Sequence, residues 1–194
     1  MKIYNQNNKR EIKELKLEQR WSKEDGVLVN LKLSHDDKHL IATFDIFENE
    51  IRKDATSHND KVYEDSCVEC FLQNINSKNY INFEFSVSSF ILAGYGKDRY
   101  ERKLFDPNLI ETIFKDVKIY SEEINNAHWG IVIYIDLYKW GLVDEKKLTN
   151  QKIKANFNEC GHKLKSTHYF SLFEIDSEVP NFHISDSFKE LFFV

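Results

Sequence analysis

Glu69 and Glu84 stand in two adjoining apolar runs, Val62-Tyr-Glu-Asp-Ser-Cys-Val-Glu-Cys-Phe-Leu72 and Tyr80-Ile-Asn-Phe-Glu-Phe85. In the first run Val68, Cys70 and Leu72 alternate with Asp65 and Glu69, the period of a strand with two unlike faces. Pairing Gln73 with Tyr80 across the loop 74–79 sets Cys70 against Phe83, Val68 against Phe85 and Leu72 against Ile81. The same register sets Glu69 opposite Glu84, and Phe71 opposite Asn82. A one-residue slip would turn the apolar set into water, so the parity is fixed. Two carboxylates opposed at about 5 Å between Cβ atoms destabilise a sheet unless an arginine, a metal, a shared proton or a ligand compensates. Carboxylates flanked by amides and a guanidinium bind hydroxyl groups. A carboxyl pair about 5–5.5 Å apart is also the spacing of a retaining glycosidase. Such a pair must flank the scissile bond, whereas Glu69 and Glu84 approach from one side. A solvated face or a structural ion pair stays open on the pattern alone.

Other reactive groups point to structure. Cys67 and Cys70 have C-x-x-C spacing, but three residues apart on a strand they face opposite ways. With Cys160 they read as buried thiols. Ser66 has no histidine near it in sequence and reads as structural. There is no Gly-x-Ser-x-Gly, phosphate loop or His-Glu-x-x-His. Net charge is −5 with scattered lysines and arginines, so no basic stripe offers itself to nucleic acid. The longest apolar run, Trp129 to Ile135, is far short of a membrane span. The first twenty residues hold no apolar core. The chain therefore reads as cytoplasmic as written, and as secreted or periplasmic if a leader has been removed.

The elements that must position Glu69 and Glu84 are strands. Alternation covers Val27–Leu33, Leu40–Ile46, Val62–Leu72, Tyr80–Leu92, Gly130–Asp136, Ile153–Phe157 and Tyr169–Phe173. Short helices are expected at Asp106–Phe114, with Asp106 as cap and Pro107 first, and as one turn at Leu137–Gly141. Two Pro and six Gly leave no room for a linker. The expectation is one all-β domain over residues 1–194, an antiparallel β-sandwich of immunoglobulin or jelly-roll type. Val29, Leu31, Phe44, Ile133, Ala155, Phe157, Phe170 and Leu172 face its core. Their alternates include Asn30, Lys32, Thr43, Asp45, Tyr134, Asp136, Lys154, Asn156, Ser171 and Phe173. Some of these share a face with Glu69 and Glu84, and acids, amides and flat aromatics together suit a sugar.

These stretches resemble a family 9 carbohydrate-binding module. The likeness lies in Val62–Leu72, in Tyr80–Phe85 followed by Gly94-Tyr-Gly96 and Arg99, and in Lys154–Cys160 through His168–Phe173 to Pro180–Ile184 and Phe188. It spans about residue 20 to the end. The resemblance implies a sandwich that binds a mono- or oligosaccharide without cleaving it, in support of polysaccharide breakdown. It places Tyr63 and Phe173 as aromatic clamps, and Glu69 and Arg99 on the hydroxyls. Glu84, Asn82, Asn156 and Lys154 fall at recurring positions. Tyr and Phe stand where the family usually has Trp. His168 and His183 read as fold-closing histidines. No cofactor is required; relatives carry calcium, and Asp45, Asp65 and Asp136 are the residues that would hold it. Because such modules are usually tethered to an enzyme, a partner enzyme is expected. The alternatives are a protein-interaction sandwich without a sugar and a glycosidase using Glu69 and Glu84.

Overall fold

The computed structural model describes residues 1–194. In chain order the strands are β1 (Lys2–Ile3), β2 (Glu14–Lys16), β3 (Glu18–Gln19), β4 (Leu28–His35), β5 (His39–Glu48), β6 (Ser66–Asn74) and β7 (Tyr80–Ser86). There follow β8 (Ile91–Gly96), β9 (Arg102–Leu104), β10 (Phe114–Glu123), β11 (Asn126–Asp136), β12 (Lys152–Gly161), β13 (Tyr169–Ser171) and β14 (Lys189–Phe193). One sheet runs β1-β14-β12-β6-β7-β8-β9, and the other β10-β11-β5-β4-β2. Strand β12 lends its outer edge to two partners: Lys152–Ala155 pair with β14, and Asn158–Cys160 with β13. Nearly every ladder is antiparallel; β1 with β14 is the exception. The expected sandwich is what the chain forms.

Apolar alternation builds the core. Val29, Leu31, Phe44, Ile133, Ala155, Phe157 and Phe170 are buried, and half-buried Leu172 packs against them. The β6–β7 register is the one expected, with Cys70 on Phe83, Val68 on Phe85 and Glu69 on Glu84. All three cysteines are free and buried.

Four local expectations are corrected. Residues 62–64 form a 3-10 turn rather than the start of β6, which lifts Tyr63 off the sheet. Tyr80–Leu92 is not one strand: the chain reverses at Val87–Phe90, where Ser89 takes a positive φ of 69° and the Ser86 hydroxyl accepts from Ser88 N–H. The helix is only Pro107–Ile110, capped by Asp106 accepting from Asn108 N–H, and Phe114 already opens β10. Leu137–Gly141 reverses the chain as a turn and forms no helix.

Outside the nine-stranded sheet lies a second apolar cluster. Cys67, Phe71 and Tyr80 point outward and are covered by Ile175, Phe182 and Phe188 from the loop between β13 and β14. That face is therefore half roofed, not open and polar throughout. The outward residues Asn30, Lys32, Thr43, Asp45, Tyr134 and Asp136 lie on the other sheet, away from Glu69.

Candidate functional site

Where the roof ends, a cleft of about 240 Å³ opens over Glu69, Glu84 and Cys160. A row of polar side chains crosses the sheet below it: Ser171 on β13, Asn158 on β12, Glu69 on β6 and Glu84 on β7. Period-two alternation puts them on one face.

The compensation for the opposed carboxylates is Arg102. Its Nη1 donates to Asn82 Oδ1 and lies 3.4 Å from Glu84 Oε1, which also accepts from Asn82 Nδ2 at 2.7 Å. Arg102 reaches them because Gly94 and Gly96 leave a groove in β8. A Cβ on Gly94 would meet Arg102 Cδ at 3.3 Å, and one on Gly96 would meet Arg102 Cβ at 2.8 Å. Glycine within a strand marks such a close approach.

One guanidinium does not neutralise two buried acids. Burial, reinforced by the Glu84 charge, holds the Glu69 carboxyl well above the usual range. Burial raises Glu84 too, against the pull of Arg102. Glu69 Oε1 accepts a weak bond from the Cys160 thiol at 3.4 Å, and Glu84 Oε2 is buried without a partner. Arg102 meets Glu84, and burial favours the protonated form of Glu69.

Aromatic groups form the walls. Tyr63 leans on His162, whose Nδ1 lies 2.7 Å from the Tyr169 hydroxyl. Trp21 packs edge-on to Tyr169 at 6.0 Å and tilted against Phe182 at 5.5 Å, and its indole N–H donates to Ser177 O at 2.6 Å. Trp21 has φ of 55°, a left-handed conformation that costs a bulky residue about 1–3 kcal/mol and is commonest where function requires it. Exposed Tyr100 and Arg99 stand at the mouth. His183 accepts or donates at Tyr80 OH, 2.8 Å away. Burial, then Arg102 and Arg99, push its ring down to about 3, so it is neutral.

The cleft thus brings together Tyr63, Glu69, Glu84 and Arg99, with Asn82 bracing them from beneath. Three expected positions lie elsewhere. Phe173 packs on the main core, because parity is lost where β13 ends at Ser171. Asn156 is buried and ties Phe173 N–H and Ser187 to the sheet. Lys154 is exposed on the stretch where β12 pairs with β14. Trp21, Arg102, Tyr169 and Phe182 were not read from the sequence. The Gly-Tyr-Gly signature at 94–96 is the signal for Arg102; Trp21 and Phe182 come from loops that carry no period, and Tyr169 opens the short strand β13.

The three aspartates do not meet. Asp65 accepts from the N–H groups of Asp54 and Ala55 and from Ser86 Oγ, closing a loop. Asp45 bonds His128, and Asp136 caps Lys139 N–H and pairs with Lys38. Calcium takes six to eight oxygens in one cage, which these residues do not build.

No curated protein matches the chain. A candidate carbohydrate-binding protein from Bacteroides uniformis superposes with a TM-score of 0.84 at 23% identity, over 96% of this chain and 88% of that one. A family 9 carbohydrate-binding module from Caldicellulosiruptor kristjanssonii, solved with cellotriose, gives 0.65 at 12% identity over 100% of this chain and 93% of that one. The same module with glucose gives 0.66 at 10%, over 100% and 96%. At such identities the likeness is one of fold. A family model for carbohydrate-binding family 9 matches residues 5–193, nearly the whole length, and the chain belongs to that family.

Proposed function

We propose that the cleft holds one terminal sugar ring and binds it without cleaving it. The observation that carries this reading is the meeting of Glu69, Arg99 and Arg102 inside a wall of Trp21, Tyr63, Tyr169 and Phe182. Carboxylates and guanidinium groups take hydroxyl pairs, and aromatic planes take the apolar faces of a pyranose. The volume of about 240 Å³ falls below the roughly 300 Å³ at which clefts for drug-sized ligands begin. That favours one or two rings over a chain lying across the sheet. The family 9 module printed with glucose and with cellotriose directs the first trials to gluco-configured ligands. A glycosidase reading is disfavoured because both carboxylates lie in the floor on adjacent strands, and Glu84 Oε2 is sealed from solvent.

Calorimetric titration against gluco-, xylo-, manno- and galacto-oligosaccharides, each beside its borohydride-reduced form, tests the reading. Expected affinities are about 4–8 kcal/mol, millimolar to micromolar. Binding of native but not reduced sugars supports recognition of a reducing end. Equal binding of both moves the contact to another part of the chain. Silence across the panel sinks the reading in favour of a protein-interaction domain. Release of product from an oligosaccharide would restore the enzymatic alternative.

A further inference from the structure

A second acid pair lies inside the sandwich. Glu48 ends β5 of the five-stranded sheet, Glu159 lies on β12 of the other, and His168 immediately precedes β13. All three side chains are fully buried, and their donor atoms lie within 4.8 Å of one another. His168 Nδ1 is 2.7 Å from the Ser166 carbonyl, which can only accept, so Nδ1 carries a proton. Nε2 faces Glu159 Oε1 at 3.0 Å and Glu48 Oε2 at 3.5 Å. The Trp129 indole donates to Glu48 Oε1 at 2.6 Å. Glu48 Oε2 and Glu159 Oε2 are buried with no hydrogen-bond partner.

Protons alone can make this trio neutral: an imidazolium, one carboxylate and one carboxylic acid. That arrangement still leaves two buried carboxyl oxygens unpaired, which is costly. A divalent ion with neutral imidazole and two carboxylates is equally neutral. It also takes up His168 Nε2, Glu48 Oε2 and both oxygens of Glu159 as four donors. We propose that Glu48, Glu159 and His168 hold a divalent metal of the zinc class that ties the two sheets together.

The geometry agrees with that class. Zinc with N and O ligands at about 2.0–2.1 Å spaces donors from different residues by about 3.3 Å, while the two Glu159 oxygens are held closer by their own carboxyl group, so the four-coordinate site is distorted from a tetrahedron. The observed 3.0 and 3.5 Å bracket that spacing. A nitrogen donor among two carboxylates suits zinc-like ions, and calcium would want six to eight oxygens. The Nδ1–H bond to a backbone carbonyl is the support that ligating imidazoles need to present Nε2. Gly161 makes room for the ring: a Cβ there would come within 2.7 Å of His168 Cε1. Because the trio is sealed, the ion enters as the chain folds.

The test uses the full chain with its affinity tag removed, so that no added histidines bind metal. After refolding with zinc and gel filtration, elemental analysis should find about one zinc per chain. Refolding in chelator should lower the melting temperature by at least about 5 °C, restored by zinc but not by calcium or magnesium. Cobalt(II) in place of zinc should give the visible absorption of a four-coordinate site. Glu159→Gln should retain less than about a tenth of the metal. Wild-type zinc below about 0.1 per chain, with melting unchanged by chelator, overturns the proposal. So does full zinc retention in Glu159→Gln, because the ion then sits elsewhere. Should that variant fail to fold, the wild-type stoichiometry and melting decide alone. Sugar titration plays no part in these readouts, so this site and the cleft stand or fall separately.

Discussion

Two pairs of glutamates face each other in this sandwich, and they differ in what they are open to. Glu69 and Glu84 lie side by side on the outer face of one sheet, beneath a cleft. Glu48 and Glu159 come from different sheets and meet in the interior. In both pairs burial works against charge: Glu69 and Glu84 are raised, and Glu48 is pushed up to about 8 by burial and then by Glu159. The outer pair has a guanidinium that slides over two glycines, and a wall of aromatics from two loops, a 3-10 turn and the start of β13. The inner pair has an imidazole pinned by a carbonyl and no route to solvent. The same acid chemistry is thus placed once to meet a ligand and once to join two layers. Changes at the outer pair should alter affinity, and changes at the inner pair should alter stability.

The largest effect is expected at the inner pair. His168→Ala removes the one side chain that meets both buried carboxyls and should cost about 3–5 kcal/mol. For a chain of this size that lowers the melting temperature by roughly 10 °C. Sugar affinity of the molecules that remain folded should stay within about twofold, since no part of the trio touches the cleft. A loss of affinity beyond that, measured well below the transition, would break the division between the pairs.

Next comes Arg102→Ala. It strips Glu84 and Asn82 of their charged partner and removes one of two guanidinium groups from the cleft. Affinity should fall about 30- to 100-fold, the worth of a charge-assisted bond at about 2–3 kcal/mol. Arg102→Lys should rescue little, because an ammonium cannot serve two acceptors in a fixed fork. Gly94→Val gives the same test without touching a charge. It fills the groove that admits Arg102 and should cost about tenfold in affinity, as a displaced rather than deleted contact. Normal binding by Gly94→Val, with Arg102 still on Glu84, would show that the groove is not needed. Tyr63→Ala should cost less again, about three- to tenfold, the usual value of one aromatic face.

How much of this was written in the sequence follows from where periodicity holds. The β6–β7 register, the opposed acids and the sandwich follow from alternation, because one buried face allows no other parity. Phe173 defeats the same logic: it lies two residues past the end of β13, where period two no longer applies, and it turns into the core. Strand β10 was missed because Lys115, Asp116, Lys118, Glu122 and Glu123 give it a solvated look. It is an edge strand, and its charges face water. Trp21 reaches the cleft from about 150 residues before Tyr169 and Phe182, a distance that no local pattern spans. Glu48 and Glu159 lie on strands from different sheets, and their meeting depends on how the layers stack.

The smallest effect sharpens the comparison at the outer pair, where two groups titrate in opposite senses. His183 is neutral in the folded protein, its ring pushed down to about 3 by burial and by Arg102 and Arg99. In the unfolded chain it titrates near 6.5. Between about 3 and 6.5 the unfolded state therefore binds a proton that the folded state does not. Stability must rise with pH across that window and is lost as pH falls through it. Glu69 acts the other way: its folded value is raised, so above about 4.5 the folded state keeps a proton that the unfolded state releases, and stability declines as pH rises. His183→Gln keeps a polar partner for the Tyr80 hydroxyl and deletes only the first of these slopes. Melting temperatures measured from pH 4 to 8 should converge on wild type above pH 7, and the variant should gain progressively below about pH 6.5. Parallel curves would mean that His183 accepts its proton in place, and that the field of the two guanidinium groups over the cleft is weaker than their positions imply.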